Sequence, residues 1–340
     1  MTQELISLLA SGMSFGITAA LGQKVIPWLH KLKYGQTIKE IGPKWHEKKQ
    51  GTPTMGGIMF IAGITLSLLV CLPLYYSLQR SGSVVSSYEE PWSYWIRIIA
   101  GILMSLMFGA VGFLDDYIKV IKKQNDGLTP GQKMIFMTLI AGAFLTTLAI
   151  SGDAAITTIP FLGDVNVGFW FYPISLIMIV GFVNAVNLTD GIDGLCSSVT
   201  FFVAIIFIVI AGMHNMFGMS IFAASVAGGC LGFLVWNFFP AKVFMGDTGS
   251  LFLGGLFCAL AYGVNMPILI PLVGIIYLCE AGSVMLQVTY FKLTHGKRIF
   301  KMSPIHHHFE MSGWSEVKIV WVFSIITLVA GVAAVALSIA

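Results

Sequence analysis

Charge is what this sequence has least of. Only 10% of its 340 residues are charged, against 56% hydrophobic, and the mean hydropathy is +0.85. A soluble domain carries about 25% charged residues, so this chain lacks the polar surface that a water-facing globule needs. The net charge of +3 is too small to point to nucleic acid, and no nucleic-acid partner is expected. Cysteine is scarce as well. Cys71, Cys196, Cys230, Cys258 and Cys279 sit in or beside apolar runs without metal-ligand spacing. A disulfide framework is therefore not expected, and buried thiols are. The first apolar stretch, 5–28, has no basic n-region and is long for a signal peptide, which predicts a retained span.

What the chain does have is apolar runs of about 18 or more residues, the length that crosses a bilayer as a helix. They recur from end to end. The pattern predicts an all-α polytopic membrane protein, one integral membrane domain over 1–340 with the lipid bilayer as its solvent. Ten transmembrane helices fit, at 5–28, 55–78, 93–114, 132–151, 168–187, 196–213, 217–236, 248–265, 267–290 and 319–339. Sixteen of the 19 basic residues fall in one alternating set of loops and flanks, from Lys31 to Lys318, whereas the opposite set holds only Arg80 and Arg97. The positive-inside rule places the rich set in the cytoplasm and both termini outside. Among the outer loops, 156–167 alternates around Pro160 and Gly163-Asp164, which predicts a small hairpin. Trp92, Tyr94, Trp95, Trp170 and Tyr172 suit an interfacial aromatic belt.

Five segments on the cytoplasmic side carry most of the reactive polar residues. The first, Lys48-Lys49-Gln50-Gly51-Thr52-Pro53-Thr54-Met55-Gly56-Gly57, puts glycines and lysines at a helix start. Free backbone N–H groups there bind phosphate; the bland alternative is a capped basic loop. The second, Phe113-Leu114-Asp115-Asp116-Tyr117, closes the predicted third span. Carboxylates at a helix C-terminus oppose the macrodipole, so the pair suits Mg²⁺ binding or proton abstraction; pairing with nearby lysines is the alternative. In the third, Asn187, Asp190 and Asp193 recur every three residues and share a face if the helix continues. That loop contains no Lys or Arg, though its glycines equally permit a simple turn. The fourth runs from Trp236 to Ser250 and sets Asp247 at a span start, where an N-cap is the competing role. The fifth, Pro304-Ile305-His306-His307-His308-Phe309-Glu310, holds three adjacent imidazoles that diverge on any regular backbone. They suit hydrogen bonding or proton movement near phosphate better than one metal site. Glu280 stands apart, deep in the predicted ninth span, where a charge costs at least about 2.5 kcal/mol. It is expected to face the bundle interior.

Taken together, these strings resemble the phospho-N-acetylmuramoyl-pentapeptide transferase (MraY) family. The resemblance rests on Gly51-Thr52-Pro53-Thr54-Met55-Gly56-Gly57, Phe113-Leu114-Asp115-Asp116, Asn187-Leu188-Thr189-Asp190-Gly191-Ile192-Asp193-Gly194-Leu195, Phe244-Met245-Gly246-Asp247-Thr248-Gly249-Ser250 and the segment from Pro304 to Glu310. They occur in the family's order across essentially the whole chain. The resemblance implies transfer of phospho-MurNAc-pentapeptide from UDP-MurNAc-pentapeptide to undecaprenyl phosphate at the bacterial cytoplasmic membrane. The products are lipid I and UMP, in peptidoglycan synthesis, with Mg²⁺ as cofactor and a homodimer as the assembly. It implies that Asp247 is the leading Mg²⁺ ligand, with Asp115 and Asp116 beside it. Asp115 is the base that deprotonates or orients the lipid phosphate. Lys48, rather than Lys49, is taken with Lys119 and Lys133 to contact phosphates or uridine. Asn187, Asp190, Asp193, Asn237 and Phe244 line the nucleotide pocket, with Phe244 stacking on uracil. His306, His307 and His308 complete the site, His307 among the catalytic groups.

The polar cluster supports this reading independently. A lipid acceptor explains so much membrane, and a charged nucleotide explains why the polar groups gather on one side. Two alternatives differ from it. A polyprenyl-phosphate GlcNAc-1-phosphate transferase shares the aspartates, but the uninterrupted His306-His307-His308-Phe309-Glu310 resembles the muramoyl branch. A secondary transporter places ionisable groups near the midplane, where here only Glu280 lies. Within the transferase reading, direct attack by the lipid phosphate is favoured over a covalent enzyme intermediate, since an Mg²⁺-activated donor needs no further nucleophile.

Overall fold

The computed structural model describes residues 3–31, 49, 51–81, 91–122, 127–152 and 155–340. Among these, eight helices are long and apolar enough to cross a membrane, or up to nine if a bent pair forms one span. They are α1 (Gln3–Lys31), α2 (Gly57–Arg80), α3 (Trp92–Lys122), α4 (Pro130–Ile150), α5 (Phe171–Thr189), α6 (Leu195–Met213), α7 (Phe217–Asn237) and, at the end, α12 (Glu316–Ser338). The bent pair joins Pro267–Val273, which contains the one-turn α9 (Ile270–Val273), to α10 (Ile275–Leu293) at 74°. The predicted ninth span is thus broken at Gly274 rather than straight. Between α7 and the bend lies α8 (Gly246–Gly263), whose sides are buried in the bundle from Thr248 onward. Its first turn contains Gly246, Asp247, Thr248, Gly249 and Ser250, and these polar and small residues make it less apolar than its neighbours. The short α11 (Ile305–Glu310) carries the histidines.

α8 packs along α3, and α7 packs along α1 and α6. Without a hydrophobic driving force between helices in lipid, close approach depends on small residues. At Gly112 in α3 an added Cβ would lie 2.1 Å from the Asp247 carbonyl oxygen, so only glycine lets α3 meet the start of α8. Large apolar side chains point outward instead, among them Leu8, Leu69, Leu139, Ile177 and Val329. The predicted hairpin is present: β1 (Ile156–Ile159) pairs antiparallel with β2 (Gly163–Asn166), Thr157 opposite Val165. The five cysteines are free, all but Cys279 buried.

One predicted boundary changes the chemistry. α3 does not close at Leu114 but continues to Lys122, making 31 residues. At 1.5 Å per residue this is about 46 Å, well beyond the roughly 30 Å hydrocarbon core. Asp115 and Asp116 therefore sit inside a helix, not at its C-terminus, and the argument from an opposing macrodipole does not apply. An i,i+4 ion pair from Asp115 to Lys119 supports the helix there.

Candidate active site

Three aspartates meet where α3 crosses the start of α8. One oxygen from each of Asp115, Asp116 and Asp247 lies within 4.8 Å of the others, and Asp115 and Asp116 are buried. Each carboxylate is oriented by a separate local feature. Asp115 Oδ1 accepts from the Leu128 N–H at 2.7 Å. Asp116 Oδ2 accepts from both the N–H and the hydroxyl of Thr248, at 2.9 and 2.7 Å. Asp247 Oδ1 accepts from the Asn187 amide at 2.8 Å, and the same amide reaches Ser250 Oγ at 2.7 Å. Asp247 is in the first turn of α8, and the residue capping that helix is Met245, with no side-chain cap. The N-cap role weighed for Asp247 is thus not the one it plays.

Two ammonium groups face these three carboxylates. Lys119 Nζ donates to Asp247 Oδ2 at 2.9 Å, pairs with Asp115 and lies 3.8 Å from Asp116 Oδ1. Lys133 Nζ is 2.6 Å from Asp247 Oδ2 and 3.1 Å from Asp115 Oδ2. A capping box places Lys133: Thr129 accepts from the Gln132 N–H, Gln132 Oε1 accepts from the Thr129 N–H, and Pro130 opens the helix. This fixes where α4 starts and brings its first lysine to the aspartates. Three hard oxygen donors, with a net negative balance against two lysines, could hold a metal ion of the kind that favours carboxylate oxygen.

The segment from Asn187 to Gly194 joins this cluster to the rest. α5 ends at Thr189, so Asn187, Asp190 and Asp193 do not share a helical face; they diverge. Asn187 turns to Asp247. Asp193 turns the other way and is buried. Its Oδ1 pairs with Lys49 Nζ at 2.7 Å, and its Oδ2 accepts from the Ala241 N–H at 2.8 Å. Lys49 also reaches Glu316 Oε2 at 2.6 Å, which accepts from the Asp193 N–H at 3.0 Å. The counter-charge missing from the loop is thus supplied by a lysine 144 residues away. Asp193 ties three segments together, and its carboxylate oxygens are already engaged. Asp190 forms no such ion pair among the described residues. Burial, reinforced by the negative charges of Asp247, Asp116 and Asp193, pushes its carboxyl up to about 8.

In the first segment several described N–H groups are already taken up by carbonyls, Thr52 N–H by Lys49 at 3.1 Å among them. Gly56 and Gly57 donate to the carbonyls of Phe244 and Met245 at 2.8 and 3.1 Å, and the Phe244 N–H donates to Pro53 at 2.9 Å. Two of the five strings are thereby stitched to each other, with the Phe244 ring left partly exposed. Asn237 is buried, and its amide donates to the Val243 carbonyl at 2.9 Å, bracing the loop that carries Phe244. Lys48 lies outside the described residues; its neighbour Lys49 makes the contacts given above. The three histidines take different partners, but the His306 and His307 rings do not diverge as expected: their centroids lie 4.1 Å apart. His306 Nδ1 meets Glu280 at 2.9 Å, His307 Nδ1 meets Glu310 at 2.6 Å, and His308 Nδ1 accepts from the Lys301 N–H at 3.1 Å.

Sequence reasoning missed Thr248, Ser250, Lys49 and Glu316 as parts of the site. Thr248 and Ser250 stand inside a quoted string, so their proximity to Asp247 was a usable signal. Glu316 offered none, because a carboxylate after Ser315 at a helix start looks like an ordinary first-turn acid.

Comparison with known proteins identifies the family. The model of glycosyl transferase family 4 matches residues 98–265, and the phospho-N-acetylmuramoyl-pentapeptide-transferase signature 1 matches residues 49–61. The phospho-N-acetylmuramoyl-pentapeptide-transferase of Clostridium perfringens (strain SM101) is 48% identical over 325 residues, 95% of this chain and 94% of that protein. The protein of that name from Acetivibrio thermocellus is 46% identical over 320 residues, 93% and 90% of the two chains. The one from Listeria monocytogenes serotype 4b is 45% identical over 324 residues, 95% of each. With identity at this level along nearly the whole of each relative, the chain belongs to the phospho-N-acetylmuramoyl-pentapeptide-transferase family.

Proposed function

We propose that this multi-pass protein of the bacterial inner membrane moves phospho-MurNAc-pentapeptide from UDP-MurNAc-pentapeptide to undecaprenyl phosphate, forming lipid I and UMP for peptidoglycan synthesis. The observation that carries the proposal is the meeting of Asp115, Asp116 and Asp247 with Lys119 and Lys133 at one end of the bundle. On this reading that end is cytoplasmic, both termini lie outside, and α8 and the bent α9–α10 pair complete ten crossings. The homodimer belongs to the reading through family resemblance alone.

Asp115, Asp116 and Asp247 would hold Mg²⁺, which supplies charge stabilisation to the transferring phosphoryl oxygens when bound. Lys119 and Lys133 then have less need to neutralise the aspartates, and their ammonium groups turn to the donor pyrophosphate. Asp115 accepts or orients the proton of the lipid phosphate monoester. An oxygen of that phosphate attacks the sugar-bearing phosphorus of the donor, a new P–O bond forms, and the bond to UMP breaks. Asn187 and Thr248 hold Asp247 and Asp116 still, while Asp190 and Phe244 contribute to the nucleotide pocket. Asp193 and Asn237, committed to Lys49, Ala241 and Val243, shape that pocket from behind. His307, held by Glu310, is placed beside the donor.

The test is UMP release by purified Asp115→Asn, Asp116→Asn and Asp247→Asn proteins, each across a Mg²⁺ titration. Loss of a metal ligand is partly restored by higher Mg²⁺; loss of the base is not. Near-wild-type activity in all three would overturn the assignment. UDP-GlcNAc offered in place of the muramoyl donor separates this activity from that of a GlcNAc-1-phosphate transferase.

A further inference from the structure

A carboxylate inside an apolar helix is costly unless another group compensates it. Glu280 lies on α10 just past the 74° bend and is wholly buried. Its Oε2 meets His306 Nδ1 at 2.9 Å and lies 3.5 Å from the His306 backbone N–H. His306 is wholly buried too, and its other ring nitrogen, Nε2, has no hydrogen-bond partner among the described residues. An orphaned ring nitrogen in a dry site is expensive, and its direction is informative. An added Cβ on Gly191 would lie 2.2 Å from Nε2 and 2.4 Å from the adjacent ring carbon. The free nitrogen therefore faces the turn that follows Asp190, in the segment whose Asn187 holds Asp247.

We propose that Glu280 is a positioning residue: it accepts the His306 Nδ1–H, fixes the ring, and thereby holds the Nε2 edge against the Asp190-Gly191 turn, setting where that turn stands in the donor pocket. The proposal rests on the transferase reading given above, because that reading makes the turn part of the donor pocket. Its physical basis is that the tautomer of a histidine is set by the bond its other nitrogen makes. With Nδ1–H committed to a buried carboxylate, Nε2 of the neutral ring is left as an acceptor. The arrangement parallels the orienting carboxylate of a hydrolase triad in logic, with the carboxylate holding ring and tautomer without touching substrate. It also gives the bend at Gly274 a consequence, since the direction of α10 determines where Glu280 holds α11. Gly191 leaves the space into which Nε2 points.

The test uses the full-length protein, with Glu280→Gln, His306→Gln and the double variant assayed for UMP release and thermal stability. Glu280→Gln is nearly isosteric and removes a buried charge. It is expected to keep its melting temperature while kcat falls about 10–100-fold, the scale for losing an orienting partner, with KM for the donor little changed. Because Glu280 acts through His306, the double variant is expected to be no slower than His306→Gln alone. Two independent losses that multiply in the double variant, or full activity in Glu280→Gln, would overturn the proposal. Should Glu280→Gln fail to fold, Glu280→Asp keeps the charge, withdraws the acceptor by one methylene, and is read by the same cycle. A wild-type protein that releases no UMP from donor and lipid acceptor would instead refute the transferase reading itself.

Discussion

Replacing Thr248 by valine isolates one hydrogen bond at the aspartate cluster. Thr248 is 1% exposed, and its hydroxyl donates to Asp116 Oδ2 at 2.7 Å, beside the backbone N–H at 2.9 Å. Valine keeps the β-branched shape and the N–H but removes the hydroxyl. A hydrogen bond to a charged group contributes about 1.5–3 kcal/mol, so folding stability should fall by that order. Asp116 retains one donor and does not become an unpaired buried charge, which keeps the effect well short of losing the carboxylate. The functional effect follows from looser aim. Partners that orient a metal ligand are worth about 10–100-fold in metal affinity. We therefore expect the Mg²⁺ concentration for half-maximal UMP release to rise by that factor, with kcat at saturating Mg²⁺ largely recovered. An unchanged Mg²⁺ requirement together with a lowered melting temperature would mean that Asp116 serves the fold and not the ion. No change in either would refute the hydrogen bond itself.

Other predictions address the supports of the site. Lys49→Met leaves Asp193 and Glu316 as neighbouring buried carboxylates. Removing one partner of a buried ion pair costs about 3–5 kcal/mol, and the partial exposure of Lys49, 16%, puts the expected loss at the lower end. Thermal denaturation checks it, and a melting temperature within about a degree of wild type would count against the clasp, since a loss of that size shifts the midpoint by several degrees. Gly112→Ala drives a methyl group into the Asp247 carbonyl; overpacking of this kind costs about 1–3 kcal/mol or more. The protein should lose both stability and activity, whereas alanine at Gly142, where a Cβ meets nothing within 4 Å, should be silent. For Asp190 the sign follows from its raised folded-state value, about 8 against an ordinary 3.8. Its stabilising contribution is complete below about pH 4 and is lost as the pH rises through about 8. Asp190→Asn should therefore gain stability relative to wild type as the pH is raised across that window, measured by melting temperature at about pH 5 and pH 8. A difference independent of pH would show that Asp190 titrates normally.

Much of the molecule was legible in its residues alone. Apolar run length requires no partner to interpret, because the bilayer supplies the same constraint at every span. The 156–167 hairpin followed from alternation and turn residues. The strings around Asp115 and Asp247 carried the chemistry in their residue types. So did the segment from Asn187 to Gly194, although its internal geometry did not follow from its spacing. Where reading failed, the missing information was non-local. The extension of α3 past Leu114 was hidden because hydropathy ends with the bilayer while the helix continues on Asp–Lys pairing.

What the sequence by itself determined was the class of protein and which short segments hold reactive groups, since hydropathy, turn chemistry and residue type are local properties. Only the tertiary structure decided what each group faces. Lys119 meets Asp247 across 128 residues, and Lys49 meets Glu316 across 267. It made Asp193 a brace, drew Thr248 onto Asp116, and paired Glu280 with His306. Inside a bundle, direct polar contacts act over a few ångströms and leave no periodic mark along the chain. Their partners are set by how helices cross, and the crossing of α3 over α8 depends on the absent side chain of Gly112.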